Sequence, residues 1–328
     1  NSGSSGSSGT SGTGFNAIIN PNSCRVLTAN GTSTVSACAK TNLIFDGSRL
    51  CVTGCCSSVM FGEHPISAYD GSSILSGKLN DNQGYESTIV GGTLNTIASN
   101  TFQHLIVGGG SSNVGAGSCS VIGGGFRNLG GGAASFIGGG TLNTASSACS
   151  FIGGGCNNIN ARDFGVIGGG YNNGLYGIKS FIGGGEYNRI TYCSERVAIA
   201  GGSYNTASDG SCDSFIGGGC KNIIDKGCLS SIIGGSCNYI SGSVAAGVVC
   251  NAVIVGGTLN TASGACSFIG GGFENLNEGG FSSILGGSCH CIHTICNGAF
   301  ILGGTGNEVS GSTYGAIRGG GGNIVKNA

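Results

Sequence analysis

Charge is scarce in this chain of 328 residues. Asp, Glu, Lys and Arg make up only 8% of it and the formal net charge is -1, whereas typical globular chains are about 25% charged. Disordered chains are rich in charge and poor in apolar residues. This chain is 39% hydrophobic, so we expect it to fold. Its 13 Lys and Arg residues are scattered, which argues against the basic stripe that binds nucleic acid.

Tryptophan is absent, proline occurs only 2 times, and glycine interrupts every long apolar run. No stretch reaches the roughly 18 apolar residues of a membrane helix, so we predict no membrane span. The abundant residues are 71 glycines and 18 cysteines. So many cysteines favour an oxidising setting, which predicts an extracellular, cell-surface or virion-surface location.

The glycines belong to an internal repeat, Ile-x-Gly-Gly-x-x-Asn. Its asparagine recurs sixteen times if His290 is counted, with a step of 15 residues from Asn113 to Asn188 and longer steps elsewhere. The residue six positions earlier is Ile or Val in every copy, and the residue three positions earlier is always Gly. The repeat positions are Asn80, Asn95, Asn113, Asn128, Asn143, Asn158, Asn173, Asn188, Asn205, Asn222, Asn238, Asn260, Asn275, His290, Asn307 and Asn323.

This period predicts an all-β fold, a parallel β-solenoid of about sixteen coils over residues 72–328. Each coil would hold two short strands and two turns, and stacking at ~4.8 Å per coil would give a rod of roughly 75 Å. The Ile column would line the interior, where each buried Ile is worth roughly 1.5–3 kcal/mol. The asparagines either form a hydrogen-bonded ladder or serve only as turn residues. The glycines predict positive φ or a close backbone approach.

The residue before each inner Ile points to the opposite face of its strand, and it is often Phe or Val. This column includes Phe136, Phe151, Phe181, Phe215, Phe268 and Phe300. A strand that is apolar on both faces is usually covered on both, so we predict lateral self-association. The other half of each coil, as in TLNTASSAC, is polar and predicts a face toward water.

The stretch SFIGGGxxNTASGACS resembles the head repeats of trimeric autotransporter adhesins, and similar repeats occur in phage and giant-virus fibres. The resemblance covers residues 72–328 and implies a left-handed parallel β-roll assembled as a homotrimer. This chain departs from those repeats by one extra residue per coil, its glycine clusters and its cysteines.

Two further segments precede the repeats. Residues 1–14 place Gly at every third position from Gly3 to Gly12, which predicts a collagen-like tail; a flexible linker or an expression-tag remnant are the alternatives. Residues 15–71 form a predicted connector, in which NLIFDGSRLCVTG indicates a β-hairpin around Asp46-Gly47.

Other chemistry is weaker. The recurring glycine clusters lack the following helix of a nucleotide site, and we predict no cofactor. CHCIHTIC offers Cys289, Cys291, His293 and Cys296 as zinc ligands, but the spacing matches no standard site, and packing with ordinary thiol chemistry is preferred to a metal. Cysteines at equivalent heights predict either disulfides or stacked free thiols, the pairs being Cys212 with Cys228, Cys220 with Cys237, and Cys250 with Cys266.

The carboxylates are dispersed, with Asp209 and Asp213 the nearest to a pair, so a polysaccharide-cleaving enzyme, which needs two carboxylates at a set separation, is disfavoured and no catalytic residue is assigned. Ice binding is disfavoured too, because TLNT does not recur on consecutive coils. The sequence favours a structural surface fibre or adhesin that attaches to a host glycan or receptor, through its outer face or through the insertions at 96–105, 191–197 and 241–252. An architectural coat or filament subunit without a receptor is the alternative.

Overall fold

The structure is a computed structural model that describes residues 42–45, 50–53, 59–60, 66–67, 71–98, 106–242 and 249–326. All regular structure in these ranges is β-strand. They contain no helix that is long and apolar enough to cross a membrane. The predicted collagen-like tail, residues 1–14, lies outside the described residues.

The chain divides into two compact units, residues 1–57 and 58–328. In the first, Asn42–Phe45 pairs antiparallel with Leu50–Thr53, with Asn42 opposite Thr53 and Phe45 opposite Leu50. The predicted hairpin is therefore confirmed, while its Asp46-Gly47 turn lies outside the described residues.

The second unit is the predicted parallel β-solenoid of about sixteen coils. Sheet 1 contains the strands Val59–Met60, Ser73–Ile74, Thr88–Ile89, Ile106–Val107, Val121–Ile122, Phe136–Ile137, Phe151–Ile152, Val166–Ile167, Phe181–Ile182, Ala198–Ile199, Phe215–Ile216, Ser231–Ile232, Val253–Ile254, Phe268–Ile269, Ser283–Ile284, Phe300–Ile301 and Ala316–Ile317. Each strand pairs in parallel with the strand of the next coil, as Phe136 does with Phe151.

Sheet 2 follows the asparagine of each coil. Its strands are Ile66–Ser67, Asp81–Asn82, Thr96–Ile97, Val114–Gly115, Leu129–Gly130, Thr144–Ala145, Ile159–Asn160, Gly174–Leu175, Arg189–Ile190, Thr206–Ser208, Ile223–Asp225, Tyr239–Ser241, Thr261–Ala262, Leu276–Asn277, Cys291–Ile292, Glu308–Ser310 and Ile324–Lys326. Between the sheets, single parallel bridges link successive coils from Lys78 to Gly321. A short extra pairing joins Gly227–Cys228 to Val249–Cys250.

The sheets begin earlier than the repeat signature does. Val59–Met60 and Ile66–Ser67 pair with the strands of the next coil, although both precede residue 72. Pro65 stands where the asparagine is due in this coil, so the repeat pattern gives no sign of it.

The interior confirms the predicted Ile column. The inner side chains of sheet 1, from Ile74 to Ile301, are completely buried. Sheet 2 faces them with a more varied inner column that includes Leu175 and Ile190, and also the fully buried Asn160. Each coil therefore buries only a few side chains, and the core is continuous because the coils stack.

The asparagines form the ladder that the sequence left open. From Asn95 onward the backbone N–H of each one donates to the Oδ1 of the asparagine one coil earlier, as Asn158 does to Asn143 at 3.0 Å, except that Asn307 donates to His290 Nδ1. The Nδ2 of Asn158 donates to the carbonyls of Gly154 and Gly170 at 3.0 and 2.9 Å. The ladder asparagines from Asn80 to Asn307 are buried.

Two turn positions in each coil have positive φ, but only the first of them requires glycine. Gly185 has φ +84°, and a Cβ there would lie 2.1 Å from the carbonyl oxygen of Gly202, so no larger residue fits. Two residues later in each coil φ is again positive, but the residue varies, as with Leu142 (φ 56°) and Tyr187 (φ 54°). Their side chains project outward and their N–H groups are bonded to the previous coil, which holds a backbone conformation that these residues rarely adopt.

Candidate functional site

The outer face of sheet 1, formed by the residues before and after each inner Ile, is largely apolar. Phe136 and Phe151 are 37% and 38% exposed, and their rings stack with centroids 5.1 Å apart. Each ring also lies beside the glycine two residues later: a Cβ on Gly138 would be 3.5 Å from the Phe136 ring. Because Gly138 and Gly153 lack side chains, the rings of Phe136 and Phe151 lie beside bare backbone.

In the two coils from Val121 to Leu302 that have serine before the inner Ile, the residue after the Ile is large and apolar. The coil of Ser231 has Ile233 instead of glycine, and the coil of Ser283 has Leu285. Ile233 is 50% exposed and Leu285 is 44% exposed. A large apolar group is therefore restored to the same face by a different residue.

This outer face carries no charge over the twelve coils from Val121 to Leu302. Sheet 2 differs, because its outer positions include Arg189, Asp225 and Glu278. At ~4.8 Å per coil the uncharged strip is roughly 58 Å long. Large contiguous apolar patches are uncommon on monomers and mark contact surfaces.

The 191–197 insertion lies within the described residues and brings aromatic and basic side chains together. Tyr192 is 51% exposed, its ring centroid is 5.2 Å from that of Tyr176, and the Arg162 guanidinium lies 4.8 Å from its centroid. The Arg189 guanidinium lies 5.4 Å from the Tyr176 ring centroid. Tyr and Arg are the residue types enriched at binding hot spots. Residues 99–105 and 243–248 of the other two insertions lie outside the described residues.

Three further tyrosines line the same coils. The Tyr187 and Tyr204 rings are stacked with centroids 4.7 Å apart, and Tyr171 meets Tyr187 edge-on at 5.4 Å. A hydrogen bond that the neutral Tyr171 hydroxyl makes to the Tyr187 side chain raises the pKa of Tyr171. The repeat alignment did not single out this group, although the clustering of tyrosine on neighbouring coils could have revealed it.

The two aspartates considered for catalysis have separate surroundings. Asp213 forms a two-pronged ion pair with Arg196, at 2.6 and 2.8 Å, and this hydrogen bonding lowers the pKa of Asp213. Glu195 also contacts Arg196 at 3.2 Å. The backbone N–H of Asp209 donates to Thr191 Oγ1 at 3.3 Å. Asp213 is therefore paired with a cation, which favours a structural role.

Among the described residues, cysteines at equivalent heights are not joined to one another. Cys212, Cys220, Cys237 and Cys266 are free thiols in the structure, so the predicted Cys212–Cys228 and Cys220–Cys237 disulfides are not formed there. The Cys237 N–H donates to the Cys220 carbonyl at 2.8 Å, which shows the predicted coil-to-coil neighbourhood. The side chain of Cys250 lies outside the description.

The side chains of CHCIHTIC point to different environments. His290 is buried in the asparagine ladder, where its Nδ1 accepts the Asn307 N–H at 3.1 Å. Cys296 is buried and its Sγ lies 3.3 Å from the Val309 carbonyl oxygen. Cys289 faces Glu274, with Sγ and Oε2 3.8 Å apart.

Cys291 and His293 alone remain together, with Sγ 3.5 Å from Nε2. Burial, with the charges of Glu278 and Glu308, raises the pKa of the Cys291 thiol to about 11. Glu308 was not a sequence candidate, because it belongs to the next coil and only the stacking register brings it here.

Comparison with known proteins adds no functional information to the geometry described above. No protein family matches the chain, and no curated protein is similar to it. The assignment of function therefore depends on the solenoid and its surfaces.

Proposed function

We propose that this chain is the rod-forming subunit of an extracellular surface fibre or adhesin, assembled as a homotrimer through the outer faces of sheet 1. The observation that supports the proposal is the uncharged apolar strip from Val121 to Leu302. About 58 Å of length and a width of about 12 Å, or three to four residues of strand, give roughly 700 Å². This is close to the ~800 Å² that one chain contributes to a standard interface, and in a trimer each chain would divide it between two neighbours.

The repeat itself favours this partner. Two copies of one solenoid have the same coil spacing, so when their coils are aligned a ring such as Phe151 and a gap such as Gly153 lie at the same height in both copies. Lateral contacts between copies then stay in register over every coil. A partner without this period would match at only a few positions.

A mass measurement of the full chain in native solution tests the proposal. We expect a trimer, and we expect Phe151→Lys combined with Phe181→Lys to give monomers, because two charges would be desolvated at the interface. Leu142→Lys is the matched control: Leu142 is equally exposed at a left-handed turn, and Lys221 occupies the equivalent turn in another coil. A monomeric native protein would refute the proposal.

A second pair of variants tests the apolar strip without adding charge. Ile233→Gly removes the large group of its coil, and Ser231→Phe in the same chain rebuilds the Phe-x-Gly arrangement of the neighbouring coils. We expect the single variant to dissociate at a higher protein concentration and the double variant to recover. Equal dissociation in both would show that the strip makes no contact between copies.

Attachment rather than pure scaffolding is favoured by the exposed Tyr192 and its Arg162 partner. We expect saturable binding of the full chain to glycan-coated surfaces or host cells, weakened by Tyr192→Ala while the trimer persists. Trimers that show no saturable binding would support the architectural alternative.

A further inference from the structure

Three consecutive coils bring a thiol, an imidazole and two carboxylates to one place on the outside of sheet 2. Cys291 lies directly opposite Glu308 in the parallel register. His293 follows Cys291 by two residues and so points to the same face. Glu278 holds the position equivalent to His293 one coil earlier, and its N–H donates to the Ile292 carbonyl at 2.8 Å.

The distances among three of these donors match those around a bound zinc ion. His293 Nε2 lies 3.5 Å from Cys291 Sγ and 3.2 Å from Glu308 Oε1. Tetrahedral zinc with ordinary bond lengths separates its sulfur and nitrogen donors by about 3.6 Å and its nitrogen and oxygen donors by about 3.3 Å. Two of the three donor–donor distances in the triangle of Cys291, His293 and Glu308 therefore already suit a bound zinc ion.

The backbone of this triangle is fixed, whereas its side chains can still adjust. The N–H groups of Cys291, His293 and Glu308 donate to carbonyls of the next coil at 3.0, 3.1 and 2.8 Å. The His293 and Glu308 side chains are 42% and 35% exposed. Among the described residues, no three His, Cys, Asp or Glu side chains are already arranged to hold a metal ion, so binding would require the Glu308 carboxylate to rotate toward Cys291 Sγ.

We propose that Cys291, His293 and Glu308 bind one Zn²⁺ or a similar borderline divalent transition-metal ion, with Glu278 or water as the fourth ligand. The mixture of sulfur, nitrogen and oxygen donors suits such an ion and does not suit Mg²⁺ or Ca²⁺, which take oxygen ligands. Binding replaces the Sγ proton, which passes to solvent, and no oxidant is needed. Because the ligands come from two adjacent coils, and from three if Glu278 is the fourth ligand, the ion would act as a clip across sheet 2.

The simpler interpretation is a His293–Glu308 ion pair beside an unrelated thiol. The two interpretations differ in what they predict for sulfur: only a metal site requires Cys291 Sγ to become a thiolate ligand. The two interpretations also predict different stabilities in solution, since only a metal site makes the free energy of unfolding depend on an added ion.

Titration of the metal-free full chain with Co²⁺ alone distinguishes them, with Zn²⁺ competition as the second measurement. We expect a thiolate-to-cobalt charge-transfer band that saturates at one ion per chain and is displaced by Zn²⁺. Cys291→Ser should abolish the band, and His293→Ala and Glu308→Gln should each weaken binding by at least roughly ten-fold. Circular dichroism and thermal unfolding of each variant confirm that the solenoid still folds.

Cys289→Ser is the matched control, because Cys289 lies two residues earlier, is exposed, and contacts Glu274 rather than the triangle. This variant should keep the band unchanged. A native chain without the band overturns the proposal. So does a band that survives Cys291→Ser, which would mean adventitious binding to other surface thiols, or one that is insensitive to His293→Ala and Glu308→Gln. The test is independent of trimer formation, since it measures one chain's ligands.

Discussion

Replacing one asparagine of the ladder should destabilise the solenoid more than any exposed polar substitution. Asn173 Nδ2 donates to Asn158 Oδ1 at 3.1 Å and to the carbonyls of Gly169 and Gly185 at 3.1 and 2.9 Å. Its Oδ1 accepts the N–H of Asn188 at 3.0 Å. Asn173→Ala therefore leaves one buried N–H without its acceptor and two glycine carbonyls without this donor.

Each buried group left unsatisfied costs about 1–3 kcal/mol. The hydrogen bonds to the Gly169 and Gly185 carbonyls are only partly buried, so water can replace part of the hydrogen bonding that these carbonyls lose. With three groups affected, we expect a loss of about 3 kcal/mol. This is a large share of the roughly 5–15 kcal/mol of a typical domain.

The variant Asn173→Asp distinguishes a hydrogen-bonded ladder from a simple preference of asparagine for turns. Asp is nearly isosteric and equally suited to turns, but it places an oxygen where Nδ2 faces Asn158 Oδ1 and two carbonyls. We expect it to cost more than Asn173→Ala at neutral pH, since it buries an unpaired charge. Asn172→Asp is the control, because Asn172 uses its Oδ1 to accept from Asn157 Nδ2 at 2.9 Å, and a carboxylate can do the same.

Hydrogen exchange read by mass spectrometry is the suitable assay, because repeat arrays can open locally without unfolding as a whole. The amides of the coils on both sides of Asn173 should exchange faster in both Asn173 variants and remain protected in Asn172→Asp. Denaturant unfolding gives the corresponding free energies. If Asn173→Asp proves as mild as Asn172→Asp, the ladder contributes little and the asparagine acts only as a turn residue.

Three further substitutions test the other repeat positions by thermal or denaturant unfolding. His290→Asn should stabilise the chain by about 1 kcal/mol, because the buried His290 Nε2 has no hydrogen-bond partner and an asparagine amide would restore the donor; a loss of stability would contradict this. Gly185→Ala should disrupt folding, since its Cβ would meet a carbonyl oxygen at 2.1 Å, whereas at Gly184 the nearest atom is 4.0 Å away and alanine should be tolerated; similar behaviour of the two would disprove the steric argument. Ile182→Ala should cost about 2–5 kcal/mol and Leu142→Ala much less, because the first side chain is fully buried and the second is exposed; equal costs would place the core elsewhere.

The inner Ile column, the asparagine rungs and the glycine turns could be predicted because a stacked coil puts one residue type at each of these positions. Their environment repeats identically, so the chain repeats too. The turn position that holds Leu142 and Tyr187 could not be predicted. Its backbone has positive φ, yet its side chain points outward, so many residue types are accepted and no column appears in the sequence.

Contacts between coils were harder to predict than the coils themselves. Glu308 meets His293 only because the insertions between them are absorbed without disturbing the register of sheet 2. The Tyr187–Tyr204 stack likewise spans a step of 17 residues, which a search at a strict 15-residue period does not align. The Arg196–Asp213 ion pair also spans 17 residues, so the same search does not align it.

The repeating glycine, asparagine and isoleucine residues act together in each coil. The carbonyl of Gly185 accepts both the Asn173 Nδ2 and the Tyr171 N–H, each at 2.9 Å, while its own positive φ turns the chain toward the next rung. The inner column, as with Ile182, then fills the interior that this turn encloses. All of these groups are satisfied within the coil stack, so none is left to react or to bind. Specific function must therefore lie on the outward columns, where the apolar strip of sheet 1 and the mixed donors of sheet 2 are the surfaces to test.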